Sequence, residues 1–489
     1  MSTLIVALLI LLASAILYVK HKFTYWSRRN VPFPEPNFPY GNFKELWKSS
    51  AATFSSKIYA QMAHSGRFFG LYFFLEPILV VTDLDLIKAI MIKDFAHFPD
   101  RGQYCNARDD PVSAHLFNIE GQAWRSLRAK LTPTFTSGKL KSMFPTLKAV
   151  GDNLARCLEV VVGEGSDVEL KDCMARFTTD VIGSCAFGIE CNSLEDPGSR
   201  FRSFGQQIFD RPRHSTAFRL MLKTFPGVGR FLRVKLLRTE ATSFFYKTVQ
   251  DTVGYRKANS VERNDFLNLL LELEKKGVDL SMNEIAAQSF LFFATGFETS
   301  SSTQTFCLYE LTLRPEIQDK ARKCVVEALE KHGGLTYEAV CDMVYLDQCI
   351  NETLRKYPTL PILERQTFKD YQIPDSDVII QKGVRIQIPV YAIQRDERYY
   401  PNPDRFDPDR FNSEQSANRH ISAFLPFGEG PRICIGQRFG MLQSRVGIAT
   451  VLSKFRVSSC AKSQVPLQIS SKSAVLQPRQ GVWLRVEPL

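Results

Sequence analysis

The spacing of hydrophobic and polar positions changes several times along the chain. Leu4 to Val19 is almost wholly apolar, and Lys20, His21, Lys22, Arg28 and Arg29 follow it. At about 1.5 Å per residue, such a run just reaches across a thin bilayer. Cations follow the run and none precedes it, which predicts an anchor, with the body in the cytosol, over a cleaved signal peptide. Pro32, Pro34, Pro36 and Pro39 then predict a stiff, extended spacer. The expected organisation is a transmembrane anchor over 1–19, a basic and proline-rich linker over 20–40, and one large catalytic domain over 41–489.

Within that domain, Arg67 to Thr82 reads as two apolar strands around a Glu76-Pro77 turn, with helix from Asp83. Trp124 and Arg128 are spaced to share one helix face. Phe177 to Cys191 reads as a small-residue helix suited to close packing. Ser281-Met282-Asn283-Glu284 is a capping box, opening a long helix that runs to Arg314 before Pro315. Another helix carries Glu352 and Arg355 and ends near Tyr357-Pro358. Val378 to Val390 predicts a hairpin through Lys382-Gly383, and Leu476 to Trp483 a last strand and turn.

Composition narrows the function classes. At 489 residues and 44% hydrophobic, the chain can bury a large core. Eleven cysteines without framework spacing indicate a reduced, cytosol-facing protein. The formal charge of +11 is concentrated between Arg211 and Arg238, where cations alternate with Phe218, Leu222, Phe225, Phe231 and Leu232. That mixture suits a membrane surface, a solvated charged face would carry the same residues, and no recognition motif supports nucleic-acid binding. The chain has neither G-x-G-x-x-G nor G-x-x-x-x-G-K-[ST], so it predicts no nucleotide site of its own.

The candidate chemistry centres on Phe427-Gly428-Glu429-Gly430-Pro431-Arg432-Ile433-Cys434-Ile435-Gly436. A Gly/Pro-rich run there delivers one cysteine to the start of a helix at Gln437. A thiolate so placed can ligate a metal, and the glycines would let backbone approach a flat cofactor. In the long helix, Thr295-Gly296-Phe297-Glu298-Thr299-Ser300 offers an alcohol beside an acid. Thr299 can bond the carbonyl four residues back and loosen the ladder, with Gly296 leaving room beside the opening. Glu352 and Arg355 can pair across one helical turn. Each of these short patterns is weak alone, since a kinked core helix or an exposed amphipathic helix would give the same residues.

The spacing F-x-x-G-x-R-x-C-x-G resembles that of the cytochrome P450 family of haem-thiolate monooxygenases. The other motifs follow in the family's order from about residue 100 to 440, and the Phe177 to Cys191 stretch looks like the insect microsomal, xenobiotic-metabolising branch. The resemblance implies a mainly α fold with smaller β-sheets, and haem b between the long central helix and the cysteine loop. Cys434 would be the axial thiolate, whose electron density favours O–O cleavage in the co-substrate O2. Arg432, Trp124, Arg128, Arg365 and Arg101 would bind haem propionates, while Glu298 and Thr299 would deliver protons. Glu352, Arg355 and Arg410 would form a buried structural triad. Phe117, Phe292 and Phe293 suggest an apolar, aromatic substrate pocket. Three positions depart from the family pattern: Thr295 for a smaller residue, Gln394 for histidine, and Asp409 for glutamate.

The same resemblance implies electrons from NADPH–cytochrome P450 reductase, with cytochrome b5 as a second donor, at the endoplasmic reticulum membrane. Expected substrates are hydrophobic xenobiotics such as plant toxins or insecticides. Endogenous hormones or fatty acids fit such a pocket equally. A reductase-independent peroxide isomerase and a non-catalytic haem sensor are the rival readings, and NADPH-dependent turnover separates both from a monooxygenase.

Overall fold

The computed structural model describes residues 2–44, 49–471, 473 and 475–489. The backbone is mainly helical. The helices that matter for the argument are α1 (Ser2–Lys22), α2 (Gly121–Leu131), α3 (Leu170–Ile182), α4 (Thr216–Thr224), α5 (Pro226–Phe231), α6 (Met282–Thr312), α7 (Val344–Lys356) and α8 (Gln437–Lys454). The strands are β1 (Phe68–Phe73), β2 (Glu76–Val81), β3 (Val168–Glu169), β4 (Leu363–Gln366), β5 (Tyr371–Gln372), β6 (Ile379–Ile380), β7 (Arg385–Ile388), β8 (Phe455–Ser459) and β9 (Trp483–Pro488). The chain divides into two compact units. One comprises Met1–Gly102, Pro361–Tyr399 and His420–Ile433, the other Gln103–Leu360, Tyr400–Arg419 and Cys434–Leu489.

The first unit is built on a four-stranded sheet in the order β1-β2-β7-β4. The β1–β2 turn falls at Phe74-Leu75, with Phe74 in the left-handed region (φ 49°), and not at Glu76-Pro77. Pro77 is already in β2, just before Ile78 to Val80, the residues that pair with β7, so its missing N–H breaks no ladder bond to β7. The hairpin expected over 378–390 does not form. The turn at Lys382-Gly383 exists, but Ile379–Ile380 pairs with β5 while β7 lies between β2 and β4. All four β7 residues are buried, so tertiary burial overrides the local turn signal.

The segment after α1 is fastened to this sheet. Trp26 is fully buried, and its indole donates to the Leu71 carbonyl at 2.9 Å. Tyr72 donates its hydroxyl to the Phe23 carbonyl at 2.8 Å, and the Gly70 N–H donates to the Pro32 carbonyl at 2.8 Å. A side chain at Gly70 would meet the Trp26 ring at 2.4 Å, so the glycine admits the indole. The proline-rich stretch is tied to β1 through Asn42, which donates to the Pro34 and Glu35 carbonyls and exchanges hydrogen bonds with Tyr72.

In the second unit, α6 is capped as its sequence predicts: Ser281 Oγ accepts from the Glu284 N–H, and the Glu284 carboxylate accepts from the Ser281 N–H. It runs to Thr312 and is buried along most of its length. The sheet of this unit has the order β3-β9-β8. Its last strand starts at Trp483 and not at Leu476, because the Leu476 N–H is already committed to the Thr359 carbonyl at 2.9 Å.

Candidate active site

The sequence-predicted site residues fall in both units, and each group has its own internal geometry. In the second unit, Cys434 is exposed and lies three residues before α8, with Gly436 as the helix N-cap. The Gln437 N–H points back to the Cys434 carbonyl at 3.4 Å. On α2, Trp124 is buried and Arg128 half-buried. Burial lowers the Arg128 pKa, while the Cys434 sulfur lies near enough for its charge to raise it. Among the described residues, the Arg128 guanidinium has no carboxylate partner, so it is available to an anion beside the thiol.

On α6, three threonines bond backwards along one face. Thr295 donates to the Leu291 carbonyl at 2.7 Å, Thr299 to the Thr295 carbonyl at 2.7 Å, and Thr303 to the Thr299 carbonyl at 3.0 Å. Thr295 is exposed and Thr299 half-buried, forming the open stripe of an otherwise buried helix. The Gly296 Cα does not face an opening. A Cβ there would meet Ile182 of α3 at 2.4 Å, so glycine serves the close packing of α3 on α6. Gln443 of α8 reaches the Gly296 carbonyl at 3.5 Å, bringing the helix after the cysteine onto this stretch.

Glu298 leaves α6 about 100° around the axis from Thr299. It is buried and ion-paired with Lys171 of α3, Nζ to Oε1 at 2.6 Å; Lys171 also donates to Ser301 and Ser302. Phe292 falls on the Thr299 side of α6 by helical spacing, but its ring is buried against Phe135 and Phe266. Phe293 does not reach that side. Its fully buried ring sits among Phe187, Phe201, Phe245 and Phe297, so it belongs to an aromatic core and not to a pocket wall. Phe117 is half-buried.

In the first unit, Arg101, Arg365 and Arg432 lie within electrostatic reach of one another. Arg432 is buried and pairs with Asp100 at 3.1 Å, and Arg101 donates to the Arg432 carbonyl at 3.0 Å. Arg365 is fully buried, and its Nε has no hydrogen-bond partner among the described residues. Burial holds its pKa well below the usual arginine range, and the charges of Arg101 and Arg432 push in the same direction. A buried guanidinium with an orphaned donor and two like charges beside it suits a bound anion. A carboxylate such as a haem propionate fits there. The close approach permitted by Gly430 (φ +70°) is to the Met91 carbonyl, 2.0 Å from where a Cβ would stand. The motif glycine therefore shapes the loop against protein backbone. The departure at Gln394 also acquires a role: its buried amide accepts the Leu425 N–H at 2.9 Å.

The residues from 31 to 485 match the family model for cytochrome P450. The chain is 46% identical over 485 residues to "Probable cytochrome P450 6a14" of Drosophila melanogaster, with 95% of each chain covered. It is 44% identical to "Cytochrome P450 6a2" of the same fly, covering 99% of both, and 41% identical to "Cytochrome P450 6A1" of Musca domestica, covering 100% of this chain and 98% of that one. This chain belongs to the cytochrome P450 family. It is a haem-thiolate monooxygenase, with haem as its cofactor and O2 as its co-substrate.

In this P450, Glu352 and Arg355 are fully buried and form a bidentate pair at 2.7 and 2.8 Å. Glu352 also accepts the Asp407 N–H at 2.9 Å, and Arg410 Nε stands 3.6 Å away. Arg410 is half-buried and donates to the Pro401 and Asn402 carbonyls. Asp409, the glutamate substitute, instead pairs with exposed Lys320. Two partners escaped sequence reasoning: Lys171 for Glu298 and Asp100 for Arg432. They stand 127 and 332 residues from those partners, and neither lies in a recognisable motif.

Proposed function

We propose that this P450 oxidises hydrophobic xenobiotics at the endoplasmic reticulum membrane, with Cys434 as the axial thiolate and electrons supplied by NADPH–cytochrome P450 reductase. The observation that supports this reading is the exposed Cys434 thiol near the Arg128 guanidinium, which among the described residues has no carboxylate partner. The haem, when bound, supplies the activation of O2 and the transfer of one oxygen atom to substrate. This chain's residues bind, orient and protonate. Arg128, with Trp124, offers donors to a propionate, and Arg101, Arg365 and Arg432 offer a second cationic set. Thr299, with its hydroxyl held on the Thr295 carbonyl, keeps an alcohol on the open stripe where a proton can be passed. Glu298 is a positioning residue for that stripe, tied to Lys171. Phe117 and Phe292 supply apolar surface for substrate, and the Glu352–Arg355–Arg410 group locks the fold.

Among the described residues, one helix, at the N-terminus, is long and apolar enough to cross a membrane. The 20–40 segment packed on β1 would then hold a single catalytic domain, 41–489, at a fixed attitude on the cytosolic face. A second membrane contact is supported by α4 and α5, where Phe225, Val228, Phe231 and Leu232 are exposed beside Arg230 and Arg233. Phe231 is 85% exposed, which an aqueous surface would disfavour.

Reconstitution with reductase and NADPH, with and without cytochrome b5, tests the reading. Lipophilic plant toxins and insecticides should be oxidised faster than steroids or fatty acids. Faster turnover of the endogenous lipids would favour that alternative, and product without NADPH would favour the isomerase.

A further inference from the structure

A cavity of about 420 Å³ lies at the C-terminal end of α1, far along the sequence from the cysteine loop. Its walls come from the end of α1, the segment that follows it, the β1–β2 turn and the Lys382-Gly383 turn. Lys22, Arg28, Arg29 and Lys382 line it together with His21. Among the described residues none of these five pairs with a carboxylate. Arg28 contacts His21 Nδ1 at 3.1 Å, and Arg29 donates to the Tyr25 carbonyl and stacks 3.8 Å over the Tyr25 ring. Lys22 and Lys382 lie over the rings of Tyr18 and Phe368. Two carboxylates are nearby. Glu76 is neutralised by Arg385 at 2.9 Å, and Asp370 accepts the Lys382 N–H.

Such an excess of cations around one concavity is a site for an anion carrying several oxygens. Its position selects the source. Most apolar residues of α1 are exposed, from Leu4 at 67% to Leu17 at 67%. A helix of 21 residues spans about 32 Å. If α1 crosses the bilayer, its last turn, and the cavity with it, stands at headgroup depth. The walls are also fixed, because Trp26 and Tyr72 fasten this segment to β1. We infer that the cavity binds the phosphate headgroup of an anionic membrane lipid. The inference rests on the reading of α1 as a membrane anchor.

The full-length protein would be reconstituted in phosphatidylcholine vesicles and washed with salt and alkali. Release from the vesicles overturns the anchor reading itself. With the protein retained, spin-labelled phosphatidylserine and phosphatidylcholine report lipid selectivity by electron paramagnetic resonance. The wild type should prefer phosphatidylserine by about five-fold for each cation engaged. Lys22→Gln/Arg28→Gln/Lys382→Gln, all exposed positions, should lose most of that preference, and the charge-conserving Lys22→Arg/Arg28→Lys/Lys382→Arg should keep it. Lys257→Gln/Lys275→Gln/Lys323→Gln removes the same charge elsewhere and should leave it unchanged. Equal loss in both glutamine triples, or no preference in the wild type, overturns the site. Abolition of the preference by millimolar inorganic phosphate would assign the cavity to a soluble anion and overturn the lipid.

Discussion

Lys171 Nζ stands 2.6 Å from Glu298 Oε1, so the acid beside Thr299 is held by a cation on the neighbouring helix. Both side chains are largely buried, and the same ammonium gathers Ser301 and Ser302. Glu298 is therefore fixed off the open stripe that carries Thr299. Lys171→Met should free or strand the carboxylate and disturb proton supply at that stripe. The expected result is about ten-fold lower product formation, with a larger share of NADPH electrons ending as hydrogen peroxide. Unchanged coupling of NADPH to product would show that the pair is only structural.

Thr299→Ala removes the hydroxyl held on the Thr295 carbonyl. Product formation should fall by about 10²-fold while haem content stays at the wild-type level. Thr299→Ser should recover most of the activity, because it restores a donor at the same place.

The glycine on α6 is a packing residue. Gly296→Ala places a methyl 2.4 Å from Ile182 Cδ1 and should cost about 1–3 kcal/mol in thermal or denaturant unfolding. Adding Ile182→Ala should recover part of that loss despite the cavity Ile182→Ala creates alone, so the two changes should be strongly non-additive.

Arg355→Lys keeps the charge but loses the bidentate pairing with Glu352 in a fully buried site. Arg355→Ala leaves a buried carboxylate without its main partner and should cost about 3–5 kcal/mol. Both should lower the yield of folded, haem-containing protein, alanine more than lysine. Expression and melting temperature check this directly.

Asp110 provides a pH test away from the haem residues. Burial raises its carboxyl above the ordinary value, against hydrogen bonds from the Leu236 and Leu237 N–H groups. The folded state then holds its proton to higher pH than the unfolded chain does. Stability contributed in acid is lost as pH rises through the folded value, and ionised Asp110 carries a burial cost above it. Asp110→Asn keeps an accepting oxygen without the charge. Its melting temperature should exceed that of the wild type at pH 7, with the difference shrinking towards pH 4.

The local signals were legible in the sequence: the apolar run of α1, the capping box of α6, the helical spacing of Glu352 and Arg355, and the loop ending at Cys434. Each is fixed by residues within a few positions of one another. What could not be read is what distant segments supply. The strand at Arg385–Ile388 joins β2 and β4 because burial on both faces outweighs the turn before it. Phe293 looks like Phe292 in sequence, and only the packing of four other rings sends it to the core. Gly296 similarly reads as an opening until Ile182 is seen to fill it.

The central claim is that Cys434 is the axial thiolate, and the reduced, carbon monoxide-bound difference spectrum tests it most directly. The wild type should show a strongly red-shifted Soret band, and Cys434→Ala should lack it while remaining folded. Haem-loaded, folded wild-type protein without that band, or a band that survives Cys434→Ala, would contradict the account.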